Sequence, residues 1–318
     1  MRWSEVTMRV LLALGGNAMT GPDGSATPDA QIAAVTGAMA SAAALVAAGH
    51  ELVLTHGNGP QVGNLLVKNE LAAHVVPPVP LDWCGAQTQG TLGFALLDAL
   101  DTALARAGAV RPVAALVTRT LVDRDDPGFT RPTKPVGRSV DADAARRMAA
   151  HGQVWEDRGE RGWRRMVASP EPLEVLDVAA ARTLLDAGYV VVAAGGGGIP
   201  VVRDPDGTLR GVEAVIDKDL TAALLARALD ADVLVVATDV DHAATGFGTP
   251  AQRDLGRVGP SELRALAAAG EFRSGSMGPK VEALLRFVDA GGRRGVITSL
   301  ARITDAVDGT FGTVVEPD

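Results

Sequence analysis

Three short aliphatic runs end in glycines and lead into helix-like sequence, which limits the chain to a small set of folds. Residues 8–14 run into Gly15-Gly16-Asn17-Ala18, residues 51–55 into His56-Gly57-Asn58-Gly59-Pro60, and residues 189–194 into Gly195-Gly196-Gly197-Gly198. Uninterrupted aliphatic runs of this length read as strands buried on both faces. Between the first two, residues 28–48 are Ala-rich and stopped by Gly49, the composition of a helix with a glycine beyond its end. Strand, helix, strand implies a crossover connection and hence parallel pairing.

The same alternation continues. Helices are expected at residues 60–73, 87–107, 175–187, 218–229, 261–269 and 279–289, and strands at 113–118, 233–238, 295–298 and 312–315. Residues 199–213 read as a hairpin turning on Asp204-Pro205-Asp206-Gly207. Between residues 121 and 172 Asp, Arg, Pro and Gly crowd the chain and no long helix fits, so this stretch is expected to be a hairpin-rich flap, with Trp155 and Trp163 as its small core. The expected fold class is α/β, an open, mainly parallel sheet between layers of helices with a protruding subdomain at about 121–172. A soft boundary near residue 210 separates two lobes, residues 1–210 and 211–318.

Composition narrows the function classes. With 47% hydrophobic and 21% charged residues over 318 positions the chain can build a core, which excludes wholesale disorder. A net charge of −8 supplies no positive field for nucleic acid or an acidic membrane face. The single cysteine, Cys84, forms no internal disulfide and fits a reducing compartment; it reads as packing rather than a nucleophile. The apolar run at residues 10–14 is too short for a secretory core, and the Ala-rich stretch at 32–49 is diluted by small and hydroxyl residues. A soluble cytoplasmic protein with neither a nucleic-acid nor a membrane partner is expected.

Only four of the 30 basic residues are lysines: Lys68, Lys134, Lys218 and Lys280. Where arginine dominates so strongly, a lysine marks a place that needs a compact, rotatable ammonium. Lys218 stands between Asp217 and Asp219; such a triplet can be a solvated charge cluster, yet lysines and backbone amides are what phosphoryl transfer requires. Lys280 follows Gly275-Ser276-Met277-Gly278-Pro279 at a helix start, and Lys134 sits between Thr133 and Pro135 in the flap. Lys68 has no such setting and is read as surface.

The glycine loops leave side chains out and present main-chain N–H groups, which suits small, oxygen-rich anions. One such loop alone is equally an ordinary tight turn; three at neighbouring strand ends are harder to dismiss. Asp239 and Asp241 close the strand at 233–238, where they either face a nucleotide or its metal or cap the turn. No G-x-x-x-x-G-K-[ST], no dinucleotide fingerprint, no G-x-S-x-G elbow and no metal-spaced histidines are present, and no protein metal site is expected.

Taken together, LALGGNA, THGNGPQVGNLL, PLDWCGAQTQG, PTKPVG, AAGGGGIPV, GVEAVIDKDL and GSMGPKVEALLRFV, in that order from residue 12, resemble the carbamate kinases of the amino acid kinase superfamily. The resemblance implies an eight-stranded αβα sandwich, with the N-terminal lobe holding a carbamoyl substrate, the C-terminal lobe holding adenine nucleotide, and a homodimer. It implies reversible phosphoryl transfer between carbamoyl phosphate and ADP with Mg²⁺, giving ATP and carbamate. By position, Gly15, Gly16 and Asn17 would line the phosphoryl path, and Gly57, Asn58, Gly59, Gly196 and Gly197 the substrate and its phosphate. Lys218 and Lys280 would hold phosphates, Asp219 would organise the lysines, and Lys134 would reach in from the flap. Thr238, Asp239, Val240, Asp241, Gly275, Ser276 and Met277 would meet the nucleotide.

Two stretches depart from the pattern. The family's AVDKVYINFG is replaced after Thr238 by DVDHAATGFG, so its lysine and tyrosine become His242 and Ala244, and the flap carries Arg138-Ser139-Val140 after PTKPVG. Two other readings compete: a family member acting on a different small carboxylate or phosphate, and a nucleotide-binding regulator without catalysis, against which the retained Lys134, Lys218, Asp219 and Lys280 argue.

Overall fold

The structure is a computed structural model that describes residues 7–20, 27–150, 152–272 and 277–318. Eight strands form the central sheet in the order Arg257–Val258, Thr313–Val315, Arg294–Ser299, Val233–Thr238, Arg9–Leu14, Glu51–His56, Val190–Val192 and Val113–Ala115. Every neighbouring pair is parallel except Arg294–Ser299 with Thr313–Val315. The sheet crosses residue 210 without a break, because the first strand pairs with both Glu51–His56 and Val233–Thr238.

Period-two alternation assigns the two faces. Val10, Leu12 and Leu14 pack into one core with the helices Pro28–Ala47 and Leu81–Arg106. Leu11 and Ala13 pack into the other with Lys218–Ala228 and Met277–Asp289. The result is the expected three-layer αβα sandwich. Helix Pro28–Ala47 starts with a Thr27 hydroxyl accepting from Ala30 N and Pro28 in the first turn, and Gly49 ends it at φ +93°. Among the described residues it is the one helix long and apolar enough to cross a bilayer, and its Val35, Met39, Ala42 and Val46 lie inside the first core.

Several boundaries differ from the sequence reading, each for a physical reason. The strand expected at 113–118 stops at Ala115, because the Gln89 side chain accepts from Thr118 N at 2.8 Å and donates to Thr118 O at 3.1 Å, turning the chain out of the sheet. It re-enters a second sheet, ordered Leu209–Gly211, Ile199–Arg203, Arg119–Val122 and Pro172–Val175. Residues 172–175 therefore pair as a strand, and the helix expected from 175 begins at Val178. Helix Leu81–Arg106 starts six residues before the expected 87, since Pro80 sets its entry and Leu81 and Cys84 face the core despite Gly85. The hairpin at 199–213 forms as expected, with Gly207 at φ +87° in its turn.

The flap is a three-stranded antiparallel sheet, Lys134–Val140, Trp163–Val167 and Val154–Asp157, with an eight-residue helix Ala142–Ala149 that the Asp- and Arg-rich sequence concealed. Its Val136 and Val167 pack against Val62 and Leu66 of helix Gly59–Ala72, and this small apolar cluster seats the flap over that helix.

Candidate active site

The first two glycine loops touch each other. Gly15 N donates to Ala237 O at 2.8 Å and Gly57 N to Leu14 O at 2.9 Å, which extends the parallel ladder into the loops. A Cβ on Gly57 would lie 2.8 Å from Gly16 N and 2.9 Å from its Cα, so only glycine lets the two backbones meet. In the third loop Gly196 has φ +68° and abuts the Asn58 side chain, whose amide donates to Thr88 Oγ1 at 2.9 Å.

Helix Lys218–Ala228 arrives opposite these loops. Asp217 caps it, accepting from Asp219 N at 3.0 Å, and Lys218 and Asp219 occupy its first turn. Asp219 is 3% exposed and joins two cations: Lys218 Nζ donates to its Oδ1, and Lys280 Nζ, from helix Met277–Asp289, to its Oδ2 at 3.0 Å. Burial pulls the Asp219 carboxyl upward, but the charges and hydrogen bonds of the two ammoniums outweigh it and hold the carboxyl below its ordinary value. Burial, aided by the charge of Lys280, pushes Lys218 down against the opposing pull of Asp219. From the flap, Lys134 Nζ reaches Asp217 Oδ2 at 3.0 Å and ties the flap to the cap of this helix.

A cleft of about 660 Å³ lies between these parts. Gly15, Gly16, Gly57, Asn58, Gly59 and Gly196 line one wall, Lys134 the flap, and Lys218, Asp219, Lys280, Thr238 and Asp239 the other side. Residues up to 265 positions apart, Gly15 and Lys280, meet here. The backbone of Asn17 lies in the 3₁₀ turn Gly16–Met19 beside the loop. Four of the expected residues do not line the cleft. Gly197 is buried behind it, its carbonyl accepting from Thr120 and Thr221 hydroxyls. Asp241 accepts from the Ser299 hydroxyl, Val240 is outside the lining, and Met277 packs against the second core. Gly275 and Ser276 lie outside the described residues.

The cleft also holds residues to which the sequence assigns no site role: Asp217, noted there only as a neighbour of Lys218, Arg138, noted only as a departure from the family pattern, and Arg164 from the flap. Five cations line it against three carboxylates, Asp217, Asp219 and Asp239, an excess of positive charge suited to a dianion. The lysine and tyrosine of the family pattern are replaced by a different packing. Ala244 is 7% exposed in a short strand paired with Arg253–Asp254, while the His242 ring lies 4.9 Å from that of Phe311, over which Arg302 stacks at 3.7 Å.

His56, at the end of the second strand, is fully enclosed behind the loops, with Nδ1 donating to Gly57 O at 3.0 Å. Burial, aided by the charge of Lys218, lowers its pKa to about 4. The unfolded chain takes up this proton near pH 6.5 and the folded chain only near 4, so stability is lost as pH falls through that window. Between pH 7.5 and 5 this one group contributes a loss of about 2 kcal/mol. Urea denaturation at both pH values should show that loss shrinking by about that amount in His56→Asn; an unchanged difference would contradict the buried neutral imidazole.

A profile of the amino acid kinase family matches residues 8–299. The chain belongs to the amino acid kinase family. Within the family its relatives include a carbamate kinase of Thermococcus kodakarensis, 44% identical over 96% of this chain and 98% of that protein. A carbamate kinase of Pyrococcus horikoshii is 41% identical over 97% of this chain and 99% of its own length. Among solved structures, a carbamate kinase from Giardia lamblia bound to AMP-PNP superimposes with a TM-score of 0.93 at 40% identity, covering 99% of this chain and all of that one. The amino acid kinase fold thus accounts for the eight-stranded sheet, the flap and the glycine loops converging on one cleft.

Proposed function

We propose that this chain is a carbamate kinase, moving a phosphoryl group reversibly between carbamoyl phosphate and ADP to give ATP and carbamate. The observation that carries the reading is the buried Lys218–Asp219–Lys280 bridge facing glycine loops across one cleft, in a chain with full-length carbamate kinase relatives. A β-phosphate oxygen of ADP attacks the phosphorus of carbamoyl phosphate, the bond from phosphorus to the carbamate oxygen breaks, and carbamate leaves with that electron pair. The protein positions the two reactants and neutralises the charge spread over the transferring oxygens. Lys218 and Lys280 supply cations, Gly15, Gly16, Gly57 and Gly59 supply main-chain surface that oxygens can approach closely, and ionised Asp219 keeps the ammoniums together.

In this reading the lobe before residue 210 takes the carbamoyl substrate and the lobe after it the nucleotide, with Thr238 and Asp239 at the nucleotide end. Among the described residues no three His, Cys, Asp or Glu side chains cluster to hold a metal, and Asp217 and Asp219 are engaged by lysines. That donor set fits magnesium carried by the nucleotide's phosphates, with Asp239 as the further carboxylate of the cleft, and the ion would supply charge neutralisation between those phosphates. Trp83 and Phe94, exposed on one face of helix Leu81–Arg106, offer the surface for a homodimer. The buried Cys84, outside any disulfide, agrees with a reducing, cytoplasmic compartment; the proposed working direction is toward ATP, in a catabolic route such as arginine breakdown.

Competition among acyl phosphates tests the assignment: ATP should form from ADP and carbamoyl phosphate at least tenfold faster than from acetyl phosphate or an aminoacyl phosphate, and the reverse order would assign another substrate. The flap and the nucleotide end should be separable. Lys134→Ala leaves ADP affinity within about threefold while kcat/KM for carbamoyl phosphate falls at least tenfold, about 1.4 kcal/mol. Calorimetry and kinetics on one preparation check this; parallel loss of ADP binding would move Lys134 to the nucleotide site.

A further inference from the structure

Two adjacent arginines on the flap strand Trp163–Val167 point to opposite faces, as successive strand residues must. Arg165 turns toward the body of the protein and meets Glu213 at 3.0 Å, a docking contact. Arg164 lines the cleft. Its Nε donates to Val136 O at 3.2 Å on the neighbouring flap strand, which holds one edge of the guanidinium.

The charge inventory of the cleft singles this residue out. Lys134 is paired with Asp217, Lys218 and Lys280 share Asp219, and Arg138 faces Glu70 at 3.8 Å. Among the described residues Arg164 is the cleft cation with no carboxylate partner. A planar fork of N–H donors, held by one edge and otherwise uncompensated, is suited to bidentate recognition of phosphate-type oxygens.

Its position selects the substrate end. The register of the flap shifts between Val136 and Ser139, with Gly137 at φ +68°, and a Cβ on Gly63 would lie 3.5 Å from the Gly137 Cα. The flap strand next to Arg164 therefore rests on helix Gly59–Ala72, the helix that begins at the Gly57-Asn58 loop. Thr238 and Asp239 follow from a different strand end, that of Val233–Thr238, which Arg9–Leu14 separates from Glu51–His56 in the sheet.

We propose that Arg164 is a substrate-binding residue that grips the phosphate of carbamoyl phosphate and sets the KM for that substrate, not for ADP. The proposal rests on the carbamate kinase reading. Steady-state kinetics of R164Q and R164K, with R161A as the same loss of flap charge outside the cleft, test it. R164Q should raise KM for carbamoyl phosphate at least tenfold with KM for ADP within threefold, R164K should fall between R164Q and wild type, and R161A should match wild type. Competitive inhibition by inorganic phosphate against carbamoyl phosphate should weaken in R164Q by a similar factor. An unchanged KM for carbamoyl phosphate, an equal rise in both KM values, or full rescue by R164K would overturn the role. If the wild type makes no ATP from carbamoyl phosphate, the carbamate kinase reading fails instead. Calorimetric binding of inorganic phosphate to wild type and R164Q then still decides whether Arg164 is an anion-binding residue: tenfold weaker binding in R164Q sustains it and equal binding overturns it.

Discussion

Lys218→Ala should lower kcat by about two to three orders of magnitude, a loss of about 3–4 kcal/mol of transition-state stabilisation, and leave the protein folded. The lysine stands at the first position of its helix with 12% of its side chain still exposed, and burial already disfavours its charge, so its removal relieves the folded state of a desolvated cation. Asp219 keeps Lys280 as partner after the change. Lys218→Arg should recover little, because a guanidinium does not fit where the Lys218 Cδ already lies 3.4 Å from the position a Cβ would take on Gly57. Rapid-quench kinetics on protein with a native melting curve check this, and wild-type turnover in the alanine variant would remove Lys218 from the chemistry.

Asp219→Asn should damage both activity and stability. The substitution keeps the shape and one acceptor oxygen but leaves two ammoniums, Lys218 and Lys280, against a neutral group that is 3% exposed. Removing one partner of a buried ionic cluster costs about 3–5 kcal/mol, since the remaining charges are desolvated without compensation. Urea denaturation should show that loss, and kcat should fall about a hundredfold or more because the lysines are no longer held together. A double substitution, Asp219→Asn with Lys280→Met, should regain much of the stability and none of the activity. Stability of the single variant within about 1 kcal/mol of wild type would mean that the cluster is not ionised as described.

How far these conclusions were legible beforehand depends on the range of the forces involved. The sheet follows from local patterns, because a strand buried on both faces writes an aliphatic run and a loop that must approach another backbone writes glycine. Gly57 is the clearest case: its lack of a side chain is explained by Gly16, 41 positions away, yet the glycine is visible by itself. Lysine scarcity marked Lys134, Lys218 and Lys280, all of which reach the cleft. Arg164 carried no such signal, being one of 26 arginines whose distinction is only what lies opposite it in space. The early end of the strand at Ala115 was likewise hidden, because the Gln89 amide that captures Thr118 comes from a helix some 29 positions earlier. Helix Ala142–Ala149 escaped notice because it is only eight residues long and buries only Ala145, leaving no aliphatic run to read.

The most direct test of the central claim follows the phosphoryl group itself. Phosphorus NMR of purified protein with carbamoyl phosphate, ADP and Mg²⁺ should show the carbamoyl phosphate resonance falling as a γ-phosphate resonance of ATP grows in equal amount, with the growth of the ATP resonance slowed by about two to three orders of magnitude in Lys218→Ala. Carbamoyl phosphate decaying only to inorganic phosphate, at the rate seen without protein, would contradict it.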